Sequence, residues 1–85
     1  MIISGTTTEN CCQATARDAL FRNYAVIFLS DATATYDYAD RGCGAMSNEE
    51  VHRATLTIMQ GGTARVMSVA ELEAQLAPAK LQSYA

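Results

Sequence analysis

The clearest signal in the chain is an apolar run without alternation. Residues Tyr24 to Ser30 read YAVIFLS, a mixture of aromatic, β-branched and aliphatic side chains, which suits a strand buried on both faces as in a parallel sheet. A shorter run, Ile2-Ile3, ends at Ser4-Gly5 and precedes a helix start. Thr7 or Thr8 can cap a helix from about Glu9 to Arg22, in which Cys12, Ala16, Ala19 and Leu20 recur at helical spacing and Arg17, Asp18 and Arg22 can reach water. Asn23 suits the left-handed residue that closes a helix. Residues Asp31 to Met46, rich in Asp, Gly, Tyr and Thr, read as one long loop.

Ser47-Asn48-Glu49-Glu50 then matches the capping box, a hydroxyl followed three residues later by a carboxylate. Val51, Ala54, Thr55 and Ile58 mark the expected buried face of the helix it opens, and Gly61-Gly62 stops it. Ala64 to Met67 is a short strand. Ser68-Val69-Ala70-Glu71 repeats the capping box and opens a last helix, expected to end before Pro78 and leave Ala79 to Ala85 as a frayed tail. The pattern is β-α-β-α-β-α, which predicts an α/β fold: a Rossmann-like parallel sheet between two helical layers, joined by right-handed crossovers. Three strands and three helices make a thin core, so the domain looks incomplete, with residues 1–77 structured and 78–85 as tail.

Composition narrows the class. The chain has 85 residues, a net charge of -3 and 49% hydrophobic residues, enough for one small folded domain but not for disorder. An acidic balance gives no footprint for nucleic acid or an anionic membrane. No apolar run reaches membrane-spanning length, and no signal peptide is evident at the start, so the expected compartment is the cytoplasm. Cys11, Cys12 and Cys43 are odd in number and two are adjacent, which does not make a disulfide framework.

Of the three thiols, Cys11 has the most informative setting. A strand, a Gly/Thr turn and a helix starting near Glu9 put it in a first helical turn, among free N–H groups and at the positive end of the helix dipole. Both stabilise a thiolate, and the same donors can hold an oxyanion formed when sulfur attacks a carbonyl. By spacing alone, a first-turn cysteine is more often a small buried hydrophobe than a nucleophile. Cys12 belongs to the apolar stripe, and nothing assigns Cys43 a role. His52 is the only histidine, weak evidence for a metal site, and reads as structural or surface-exposed; no metal site and no cofactor are expected. Tyr36 and Tyr38 suit either a substrate pocket or a subunit interface.

The stretch GTTTENCCQATARDALFRNYAVIFLSDATAT resembles the signature of the isochorismatase-like cysteine hydrolases, and the likeness runs from about Ile2 to Leu76. Within the family it looks most like the carbamoylsarcosine-amidase and biuret-hydrolase-type members. The resemblance implies that Cys11 is the nucleophile, that Thr6-Thr7 is a non-proline cis peptide, and that the N–H groups of Thr7 and Cys11 form the oxyanion hole. It implies cleavage of a small amide or ureide at its C–N bond through a thioester. It also implies that the chain is the C-terminal half of a six-stranded sheet of order 3-2-1-4-5-6, supplying strands 4 to 6. The family's Asp and Lys would then come from an N-terminal half, and the only lysine here, Lys80, does not match. A homo-oligomer or a complementing N-terminal half is the expected partner. The alternative is an inactive fragment that serves as an association module.

Overall fold

The computed structural model describes the backbone of residues 1–84 and the side chains of residues 1–76. Its elements are β1 (Ile2–Thr6), a wide π-type helical turn (Thr8–Cys12), α1 (Gln13–Phe21), β2 (Ile27–Ala34), α2 (Asn48–Gln60), β3 (Arg65–Met67) and α3 (Val69–Tyr84). The three strands are parallel and ordered β1-β2-β3. This is the alternation expected from the sequence, and β2 is the central strand.

Helices cover both faces. On one, α1 and α2 close over Ile3, Val26 and Phe28 through Cys12, Ala16, Ala19 and Met59; Phe28, Ala16 and Met59 are fully buried. The small residues of α1 let the helix approach the sheet, and burying Phe28 there contributes about 1.5–3 kcal/mol. On the other face, Leu72 and Val69 of α3 pack on Leu29 and Met67.

Several boundaries differ from the sequence reading, each for a physical reason. β2 starts three residues later than expected because the end of α1 still holds the chain. Asn23 adopts φ 68°, and the Tyr24 N–H returns to the Ala19 carbonyl at 3.0 Å, leaving Tyr24 exposed. β2 also continues through Asp31 to Ala34, taking four residues from the expected loop. The cause is β1, which extends to Thr6: pairing passes from Ile3↔Phe28 to Gly5↔Thr33 across a bulge, then to Thr6↔Ala34. Neither Thr7 nor Thr8 makes a side-chain cap; the turn closes on backbone instead.

The buried row of α2 is Val51, Thr55 and Met59, flanked by half-buried His52 and Leu56. Ala54 and Ile58, expected inside, are exposed. His52 explains the rotation, because its ring is hydrogen-bonded inward on both sides and turns the helix about its axis. Leu20, expected in the α1 stripe, is 37% exposed and outside the buried core. Finally, α3 runs through Pro78 to Tyr84 rather than stopping before it. Proline's fixed φ is compatible with a helix although it cannot donate a helix bond, and the residues after it, Ala79-Lys80-Leu81-Gln82, are good helix formers that offset that loss.

Both serines cap their helices, and the Ser68 box is reciprocal. The Ser47 hydroxyl accepts from the Glu50 N–H at 3.2 Å. Ser68 and Glu71 exchange backbone-to-side-chain bonds in both directions at 3.1 Å. Asp31 adds a third device, its carboxylate accepting from the Val69 N–H at 2.8 Å at the start of α3. Among the described residues no helix is long and apolar enough to cross a membrane.

Candidate active site around Cys11

The site grows out of the end of β1. Gly5 has φ 115°, a conformation side chains rarely adopt, and it is where β1 regains register with β2 beyond the bulge. The Thr6–Thr7 peptide is cis. Thr7 is extended (φ -98°, ψ 148°), and its carbonyl accepts from the N–H groups of Asn10 at 3.2 Å and Cys12 at 3.0 Å. That five-residue reach widens the turn. The Thr7 N–H itself has no acceptor among the described residues.

Cys11 lies in the wide turn and is exposed, whereas Cys12, one residue on and about 100° around the axis, is 4% exposed. Burial, then the neighbouring Cys11 and Glu9, raise the Cys12 thiol, so it stays protonated at neutral pH. Its Sγ points to the Ser4 carbonyl, 3.9 Å away. Cys11 instead borders a groove of about 360 Å³ formed by residues Met1 to Thr6, Cys12 and Thr15. This groove follows the side of β1 that carries no neighbouring strand among the described residues. Its lining contains no Asp, Glu or Lys side chain.

Two polar contacts anchor the turn that carries Cys11. The fully buried Thr8 places its Oγ1 2.8 Å from His52 Nδ1, and His52 Nε2 lies 2.8 Å from the Ser30 carbonyl. A carbonyl only accepts, so Nε2 carries the proton, and in the neutral ring Nδ1 accepts from the Thr8 hydroxyl. On the outer side, the Tyr38 hydroxyl donates to Glu9 Oε2, tying the long loop to the turn. Burial acts to raise the Glu9 carboxyl, but Tyr38, the nearby Thr35 hydroxyl, a backbone N–H and the His52 ring outweigh it and lower it. Thr35 approaches without completing a bond, since its Oγ1 and Glu9 Oε1 are both shielded and unpaired. The Tyr38 phenol is pushed up, chiefly by the Glu9 bond.

Apart from the Tyr38–Glu9 bond, the remaining candidates lie away from the Cys11 groove. Tyr36 and Tyr38, with ring centroids 5.1 Å apart, line a concavity with Asp37, Ala39 and Arg41 that shares no residue with the Cys11 groove. Cys43 is exposed elsewhere in the same loop. Asp18 pairs with Arg22 on the surface at 3.2 Å. Among the described residues no group of three or more His, Cys, Asp or Glu is placed to hold a metal ion. Lys80 lies beyond the described side chains. The His52 and Glu9 anchors were not read from sequence. A lone histidine beside a capping box and an isolated Glu in a helix start carry no local signature of partners 44 and 29 residues away.

The isochorismatase domain model matches residues 1–71. The chain belongs to the isochorismatase family. Among curated proteins it is similar to nicotinamidase 3 of Arabidopsis thaliana, 36% identical over 76 residues, covering 89% of this chain and 33% of that protein. Among solved structures it resembles a cysteine hydrolase from Pseudomonas syringae pv. phaseolicola 1448A. The TM-score is 0.89 and the identity 42%, over 92% of this chain and 37% of that one. An isochorismatase-like hydrolase from Alkaliphilus metalliredigens matches with a TM-score of 0.71 and 31% identity, over 88% of this chain and 35% of that one. The chain therefore spans about a third of the length of these isochorismatase-family relatives.

Proposed function

We propose that this chain carries the nucleophile segment of a cysteine-dependent hydrolase acting on the C–N bond of a small amide or ureide. The observation that carries the reading is the contrast between the two adjacent thiols on the groove along β1: Cys11 is exposed there, just past the carboxyl end of the strand, while Cys12 is 4% exposed and turns its Sγ to the Ser4 carbonyl. Sulfur attacks the carbonyl carbon, and the oxygen's developing charge is held by the N–H groups of Thr7 and Cys11. The C–N bond breaks, the nitrogen leaves with a proton as ammonia or an amine, and water cleaves the thioester to regenerate the thiol. Three free cysteines fit a reducing compartment such as the cytoplasm.

A general base and a Lys are supplied across the open side of β1 by a complementing N-terminal polypeptide. The groove there has no carboxylate of its own, and a missing base removes a factor of about 10²–10⁴. Ammonia release from nicotinamide and simple ureides tests the reading. Turnover lost in Cys11→Ala and kept in Cys12→Ala supports it; turnover that survives Cys11→Ala overturns it. The open strand edge, with Ile2 50% exposed, favours a second reading in which the chain is an association module without activity. A self-associating chain with no turnover in any mixture would select it.

A further inference from the structure

We propose that His52 is a positioning residue for Cys11, acting as a strut between the turn that holds the thiol and the bulge of β2. This inference rests on the hydrolase reading above. The ring reaches from α2 to two elements at once: Thr8, at the start of the Cys11 turn, and the carbonyl of Ser30, within the stretch of β2 where pairing with β1 is interrupted.

Both contacts are 2.8 Å long, and Thr8 is fully buried. A threonine hydroxyl sealed from water needs a partner, and His52 is the one it has. The Ser30 carbonyl places a hydrogen on Nε2, and in the neutral ring Nδ1 then accepts the hydrogen bond of the Thr8 hydroxyl. Fixing Thr8 constrains what lies on either side of it: the Thr7 N–H, which faces the developing oxyanion, and the turn that aims Cys11 into the groove. The bulge matters because a regular ladder would not anchor the far end at that place. Bulge, imidazole and turn therefore form one continuous support for the thiol, and His52 touches neither sulfur nor substrate.

Competitive alkylation tests this. The chain is treated with limiting iodoacetamide across pH 6–9, and labelling of Cys11 is read by mass spectrometry against exposed Cys43 in the same molecule. Folding is checked by circular dichroism. In the wild type Cys11 labels faster than Cys43. Thr8→Val, which replaces the hydroxyl by a methyl group of similar size, is expected to lower the Cys11-to-Cys43 ratio on the order of tenfold, as for a misplaced reacting group. His52→Ala does the same, and Thr8→Ser restores the ratio. A purely structural histidine would lower stability yet leave the ratio of the folded protein unchanged. An unchanged ratio in folded Thr8→Val therefore overturns the strut while leaving Cys11 as nucleophile. Should His52→Ala not fold, Thr8→Val and Thr8→Ser decide alone. Equal labelling of Cys11 and Cys43 in the wild type overturns the nucleophile reading and the strut with it.

Discussion

Met59 and Ile58 are neighbours on α2 with opposite fates, and shortening each to Ala measures which way the helix is turned. Met59 is fully buried against Phe28, Ile3 and the small residues of α1, whereas Ile58 is 56% exposed. Met59→Ala removes three heavy atoms and leaves a void that close-packed neighbours fill only in part, for a loss of about 2–5 kcal/mol. Ile58→Ala falls within about 0.5 kcal/mol of the wild type. A domain of 85 residues has on the order of 4–13 kcal/mol in all, so the first substitution consumes much of the margin. Urea unfolding followed by circular dichroism reads the difference as a midpoint shift on the order of 1–3 M for Met59→Ala. A greater loss in Ile58→Ala than in Met59→Ala would refute the observed rotation of α2 and with it the inward placement of His52.

Three further outcomes are expected. Glu9 titrates below its ordinary value of 4.5 in the folded protein, so its contribution to stability is complete above that value and is lost as pH falls through the folded one. Urea midpoints between pH 7 and pH 3 should fall more steeply in the wild type than in Glu9→Gln, and identical profiles would remove the Tyr38 tie. Ser68→Ala breaks the capping box of α3 and costs about 1 kcal/mol in the same assay. Asn23→Val forces a β-branched residue into the left-handed region and costs about 1–2 kcal/mol, while Asn23→Gly is tolerated.

The order of elements was legible because each relies on local chemistry: YAVIFLS for a central strand, two Ser-x-x-Glu boxes, Asn23 as a helix stop. Boundaries shifted where non-local pairing overrode local preference, as when β1 drew Asp31 to Ala34 into β2. Ala54 and Ile58 were misassigned because apolar spacing alone does not reveal that the His52 ring on the same helix is bonded inward. At the site, the contrast between Cys11 and Cys12 follows from helical geometry and was open to sequence reasoning. Neither Thr8–His52 nor Glu9–Tyr38 was, since both depend on where a loop and a second helix return.

The central claim, that Cys11 is the attacking thiol of this isochorismatase-family chain, is tested most directly by acyl transfer. The protein is mixed with a small activated ester at mildly alkaline pH, quenched in acid, digested and mapped by mass spectrometry. The account expects a thioester adduct on Cys11, absent from Cys12 and from Cys11→Ala. An adduct confined to Cys43, or none on any cysteine, would contradict it.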